Sequence, residues 1–341
     1  MAKISNWQKK IKQYYEKLIC VLRSLRKKCI LPNWLKSWTI RIYHSWRTVL
    51  FGIFGFLFFY YFLGSQLTED MDISNEYVLP TAASQKMETA NSMAFMLRRE
   101  VDTKMWTPNL PPLFPAYVLD NMPNFQIGIE NAIRDIVAVL QNISNISEAQ
   151  SKDLQQAHEL LKYAPNVWLL AKKGSFNIAP SSNTQYRKAA KYLTKFNERG
   201  NYAPQKQHLQ DLLKQMSRKL ARLARKSEEH WQEHGSDFWD NKADNIFYHH
   251  RGYAFALWQI SKAMGIDFKE IILAHDAYTD WTYLQSSLRQ AAQFRPYVVR
   301  NSPPDGLWSP NHLMAQNFYL ARALAAIERI RGALARGNNA D

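Results

Sequence analysis

Apolar residues fall along this chain in two kinds of run. One is continuous: no charge occurs from Thr48 to Thr68, and Val49 to Leu63 is Val, Leu, Ile, Phe and Tyr broken only by Gly52 and Gly55. At 1.5 Å per residue these 21 residues reach roughly 31 Å, about the hydrocarbon thickness of a bilayer. The run predicts a transmembrane helix, with Trp46, Tyr60 and Tyr61 placed as interface anchors. A soluble core helix seldom runs this far without a charge. A cleaved signal peptide is not expected either, because the basic region ahead is too long for a usual n-region and no small-x-small site follows cleanly.

The other kind of run is periodic. Beyond the span, apolar residues recur every three to four positions and sustained period-two runs are missing, so the fold class expected is all-α: one N-terminal transmembrane helix followed by a multi-helix domain. Helices are expected over 83–105, 124–141, 148–163, 184–198, 205–233, 244–264, 267–293 and 310–336. The last has explicit ends, with Ser309 as cap, Pro310 in the first turn and Gly337 after Arg336; its inward stripe is Leu313, Leu320, Leu324, Ile327, Ile330 and Leu334. Pro108, Pro111, Pro112, Pro115 and Pro123 make 106–123 an irregular connection, and 174–183 and 294–309 are further loops. Ahead of the span, Ile11, Tyr14, Tyr15, Leu18, Ile19, Leu22 and Leu25 repeat at helical spacing among lysines and arginines. That basic amphipathic helix suits the surface of an anionic leaflet, at about 1 kcal/mol per cation near the lipid.

Charge then orients the span. The chain of 341 residues carries 44 Lys and Arg against 29 Asp and Glu, a net +15. Twelve of those cations, against Glu16 alone, lie between Met1 and Arg47; the remainder from Glu69 onward is close to balanced, 32 against 28. By the positive-inside rule the tail is cytoplasmic and residues 69–341 are translocated. Three regions follow: 1–47, a basic amphipathic cytoplasmic tail; 48–68, the span; 69–341, a periplasmic all-α domain. Both cysteines, Cys20 and Cys29, lie in the tail, so the translocated domain folds without disulfides.

Catalytic chemistry is sparse. His230-Trp231-Gln232-Glu233-His234 spells H-x-x-E-H, which on a helix sets both histidines on one face, but zinc chemistry needs a third ligand, normally an acid from a later helix, for which Glu270 is the nearest plausible candidate. Gly235 would end the helix directly after the motif, in a segment dense with other acids. His249 and His250 are adjacent and point about 100° apart, so packing roles are expected, as for His275 beside Asp276. No P-loop, G-x-G-x-x-G or G-x-S-x-G occurs, and S-x-x-K only before the span. Paired carboxylates acting on a glycan are defined in space and stay open. No cofactor or metal is expected.

A second basic feature lies inside the domain. Twelve cations fall between Gln185 and Lys226 against Glu198 and Asp211, and Lys214, Arg218, Arg222 and Lys226 follow one another at i+4, opposite Leu209, Leu212, Leu213, Met216, Leu220 and Leu223. Such a stripe suits an anionic surface: lipid head groups, an anionic glycan or an acidic protein. A merely solvated face, balanced by the acids at 228–244, is the alternative.

Three blocks carry a resemblance: Leu119-Asp120-Asn121-Met122-Pro123-Asn124-Phe125-Gln126-Ile127-Gly128; Phe247-Tyr248-His249-His250-Arg251-Gly252-Tyr253-Ala254; and Asn311-His312-Leu313 leading into Tyr319-Leu320-Ala321-Arg322-Ala323. They resemble segments of an uncharacterised proteobacterial family of single-span inner-membrane proteins, over most of 80–336. The resemblance implies a Gram-negative envelope protein and brings no established activity. Its polar residues Asp120, Asn121, Arg251, Asn311 and His312 either form one buried hydrogen-bond network or line a groove.

The expected function is a scaffold or assembly factor of a cell-envelope complex, held by one span in the inner membrane and binding through its periplasmic helices. The alternative is a periplasmic enzyme acting on peptidoglycan or another envelope polymer. Candidate partner-binding residues are Lys214, Arg218, Arg222, Lys226, Asp120, Asn121, Arg251, Trp308, Asn311 and His312. The partners expected are the membrane itself, anionic lipid at the tail, and an envelope protein or anionic glycan; nucleic acid is not expected.

Overall fold

The charge-free run forms the second half of one long helix, α1 (Asn33–Thr68). In the computed structural model only 6% of its apolar window, Thr48–Thr68, is covered by the rest of the protein, so phenylalanines such as Phe51, Phe54 and Phe56 stand exposed. The structure describes residues 16–17, 33–74, 77–79, 86–168, 179–200, 202–235, 240, 242–303 and 310–336. Apart from Glu16 and Lys17, the tail helix lies outside the described residues, as do Cys20, Cys29, Trp308, Ser309 and Gly337.

The chain divides into two units, 1–60 and 61–341. Among the described residues the elements of the second are helices: α2 (Glu88–Arg98), α3 (Asn121–Leu140), α4 (Glu148–Leu161), α5 (Ser182–Glu198), α6 (Lys206–His234), α7 (Ala243–Asp267), α8 (Lys269–Ala274), α9 (Tyr278–Gln293) and α10 (His312–Arg336). Among the described residues the one β pairing is the isolated Asn301–Asn311 bridge. A π-helical turn, Arg99–Thr103, continues α2, and 3₁₀ turns at Thr107–Asn109 and Pro115–Val118 shape the proline-rich connection.

Helix α7 is the centre of the domain, because it is apolar nearly all round. From His250 to Met264 every residue but Lys262 is buried, and α2, α3, α6, α9 and α10 all pack on it. Fully buried side chains such as Phe247 and Phe255 each stabilise by about 1.5–3 kcal/mol. Its closest neighbour is α3. Rungs between the two ascend together, Asn124–Asn245 at 2.6 Å, Asn131–His249 at 2.9 Å and Asp135–Tyr253 at 2.9 Å, so the helices run in the same direction. Gly128 and Gly252 permit the approach: a Cβ on Gly128 would overlap the His249 carbonyl oxygen, and one on Gly252 that of Phe125.

Against the sequence expectation α2 begins at Glu88 and not at 83, α3 at Asn121 and not at 124, and α7 runs on to Asp267; two further differences have a plain cause. The stretch 267–293 is two helices, because Asp276 turns left-handed at φ 52° and closes α8 with the paired bonds Ala277 N–H to Ile272 O, 3.0 Å, and Asp276 N–H to Leu273 O, 3.2 Å. The last helix starts at His312 with Asn311 as its cap: the Asn311 side-chain oxygen accepts from Met314 N–H at 2.9 Å, and Pro310 precedes the helix.

Candidate binding surfaces

Helix α6 is amphipathic in the way its spacing predicts. Leu209, Leu212, Leu213, Met216, Leu220 and Leu223 are buried, and Lys214, Arg218, Arg222 and Lys226 are all exposed along the opposite face. None of the four pairs with a carboxylate among the described residues. Lys219, beside the stripe, instead binds Asp135 at 2.7 Å. Lys214 and Arg218 border a groove of about 440 Å³ against Asn142 and Ile143 at the end of α3, and Lys226 borders another of about 380 Å³.

A larger basic groove, about 650 Å³, lies between α2 and α5. Tyr186, Ala189, Ala190, Leu193 and Phe196 bury one side of α5, which turns Arg187, Lys188, Lys191 and Lys195 outward to join Arg98 of α2 along the groove. Arg187 is tied to Asp102 at 2.6 Å and Arg98 donates to Thr194 at 2.7 Å; Lys195 lies 5.0 Å over the Tyr192 ring. Lys188 and Lys191 are exposed. The α5 lysines are not among the binding residues expected from the sequence, although their i, i+3, i+7 spacing is a signal that could have found them, whereas Arg98 comes from a helix some ninety residues earlier and carried none.

Cations are also built into the interior, around the segment that follows α1. Arg99 and Glu100, each 1% exposed, pair at 2.5 Å. Arg99 also donates to the Asp72 carbonyl. Lys104 Nζ reaches the Asp70 carboxylate and the Asp72 carbonyl, both at 2.8 Å. Gln126 of α3 completes the set, donating to Glu100 at 3.1 Å and accepting from Thr107 N–H at 2.9 Å. Burial raises the Glu100 carboxyl against the pull of Arg99 and Lys104, and burial lowers the Lys104 ammonium. Residues 70–72 are thus held by their own carbonyls.

The five polar residues of the resembling blocks occupy three separate places. Arg251 is 2% exposed; its Nε donates to the Ala292 carbonyl at 2.8 Å, its Nη2 to that of Met71 at 3.4 Å, and its Nη1 has no partner. Burial brings it down to about 10, still charged at neutral pH. With Arg289, Arg295 and Trp258 it lines a groove of about 390 Å³ beside Met71 and Ile73. Asn311 and His312 instead fasten the loop before α10: Asn311 donates to the Ser302 carbonyl at 2.6 Å, and the His312 ring accepts from Arg300 N–H at 2.9 Å. Asp120 is exposed at the start of α3, and the Asn121 side-chain oxygen is buried without a partner.

Of the H-x-x-E-H pair, His230 donates from Nε2 to Asp240 at 2.8 Å, and the two histidine rings lie 4.8 Å apart. Asp240 also accepts from Asn301 at 3.0 Å and from the first N–H groups of α7; burial alone would raise its carboxyl, but these bonds hold it low. Among the described residues no three His, Cys, Asp or Glu side chains are grouped to hold a metal ion. His250 bonds Ser227 at 3.1 Å and His275 bonds the Ile271 carbonyl at 2.9 Å, both within the packing.

The geometry defines a helical protein with open cationic surfaces and, among the described residues, one helix apolar enough to cross a membrane. Residues 109–210 and 202–337, more than half of the chain, match the bacterial family described as uncharacterized protein conserved in bacteria (DUF2333), and the chain belongs to that family. No curated protein and no solved structure matches it.

Proposed function

We propose that the chain is a single-pass inner-membrane protein, tail in the cytoplasm and residues 69–341 in the periplasm, whose helical domain binds an anionic partner as a scaffold or assembly factor of a cell-envelope complex. The observation that carries the binding reading is the α2–α5 groove, where four outward cations of one helix meet Arg98 of another. An open groove whose five cations outnumber Asp102 and Glu198, with two threonines beside them, suits repeated carboxylates or phosphates, on an acidic protein surface or an anionic glycan. The anchoring half rests on the exposed apolar run and the twelve cations before it.

The test is a Lys188→Glu, Lys191→Glu, Lys195→Glu variant of the full chain. It should lose its in-cell crosslinks to envelope partners and fail to complement a deletion strain. Full complementation with unchanged crosslinks would remove the groove from the function. A second reading, an enzyme acting on an envelope polymer, is favoured by one feature: His230, which is paired with Asp240, borders the same groove as Glu229, Glu233 and His249. A His230→Gln chain that folds yet leaves the polymer uncut would support it.

A further inference from the structure

The proline-rich connection presents an apolar surface that the binding reading does not use. No charged residue occurs between Lys104 and Asp120. Leu113 is 78% exposed, Tyr117 54%, Val118 53% and Phe114 39%. The segment holds a set shape: Phe114 N–H bonds the Pro111 carbonyl at 3.0 Å, Tyr117 N–H that of Phe114 at 3.0 Å, and Leu119 N–H that of Ala116 at 3.1 Å, with Ala116 buried beneath. Pro111, Pro112 and Pro115 bring no N–H group that would need a partner away from water.

Its neighbour is the end of the apolar helix. The Tyr61 hydroxyl donates to the Pro112 carbonyl, and a Cβ on Gly64 would overlap the Pro115 ring. Gly64 and Tyr61 precede Thr68 by four and seven residues, which at 1.5 Å rise places them about 6 and 10 Å inside the end of the span. A loop seated on those residues lies within about 10 Å of the head groups, the depth to which interfacial elements bury their apolar side chains.

We infer that the loop Pro111–Val118 inserts its Leu113, Phe114, Tyr117 and Val118 side chains into the bilayer interface, a second lipid contact beside the span. The inference rests on reading Thr48–Thr68 as membrane-spanning. Amphipathic Tyr and bulky apolar side chains on a charge-free, preformed loop are what an interfacial anchor needs, and the depth of the contact selects lipid over a partner in the aqueous compartment.

The experiment uses the full chain in proteoliposomes, with Cys20 and Cys29 replaced by Ser and one cysteine introduced at position 56, 113, 117 or 214. Each carries a polarity-sensitive fluorophore, and the vesicles contain lipids brominated at shallow or deep acyl positions. Emission at 113 and 117 should fall by roughly half or more with shallow bromines, that at 56 with deep bromines, and that at 214 with neither. Quenching at 56 without quenching at 113 or 117 would overturn the loop insertion and leave the span standing, including the case where the loop faces another protein. No quenching at 56 would overturn the span reading and the loop with it.

Discussion

At Gly128 and Gly252 a single methyl group would force two helices apart, because in each case it meets backbone and not the end of a flexible side chain. Gly252→Ala should therefore lose about 3 kcal/mol or more, read as a fall in melting temperature of about 2–4 °C per kcal/mol. Gly332→Ala in α10 is the control. There the nearest atom to a new Cβ is 3.9 Å away, so the change should be neutral or stabilising by up to about 1 kcal/mol. Both glycines of the crossing sit in the blocks that carry the family resemblance, yet nothing in the sequence says that they face each other. Glu130, on the same helix, gives a pH signature. Burial pushes its carboxyl up to about 8, with Arg134 only partly offsetting and Asp135 adding to the rise. The folded state thus holds a proton that the unfolded chain releases near 4.5, so stability from this group falls as pH rises between those values. Glu130→Gln should match the parent at pH 5 and gain a few kcal/mol over it at pH 9, in denaturant titrations of the detergent-solubilised chain. His249 works in the other direction. Burial, with Lys226 and Arg134, lowers it to about 4, so its contribution is lost as pH falls below 6.5.

Individual elements were legible where one face is buried and the other wet. α6 is the clearest case, since its leucines and Met216 are all buried and its four stripe cations all exposed. The α8–α9 break was not, because Ile272, Ala277, Trp281 and Leu284 keep an apolar rhythm through it. The cap there is a left-handed Asp276, a residue type that adopts this conformation only in context. Grooves were less legible than helices, since each joins residues far apart in the chain. The stripe itself can be tested as an element. Changing Lys214, Arg218, Arg222 and Lys226 together to Glu should alter stability little, because all four are exposed and unpaired with acids, while Lys219 keeps its bond to Asp135. Binding to anionic vesicles or to an acidic partner at about 0.15 M salt, where charges beyond roughly 8 Å are screened, should be abolished if the stripe makes close contacts. A variant that binds and complements like the parent would mark the stripe as a solvated face.

On the scale of the whole molecule, the sequence carries a plainer signal for an anchor and for the direction proposed for it than for the purpose of the domain. An apolar run and a lopsided charge are local, additive quantities, whereas a partner is recognised by surfaces assembled from several helices. The direction can be tested finely. Only cations within about 15–20 residues of a span weigh strongly on its orientation, and acids contribute little. By that rule Lys28, Lys36, Arg41 and Arg47 should govern the topology, and Lys3, Lys9, Lys10 and Lys12 should not, although both sets carry the same charge. A phosphatase fused after Asp341 should be active in the parent, and a fluorescent protein that matures only in the cytoplasm should glow when fused before Met1. Replacing the near set with Gln should lower phosphatase activity and produce a mixed population, while replacing the far set should leave the reporters unchanged. Equal effects from the two sets would mean that the tail acts through its amphipathic helix on the lipid surface and not through charge beside the span. An inactive phosphatase in the parent would put the domain in the cytoplasm and end the envelope reading.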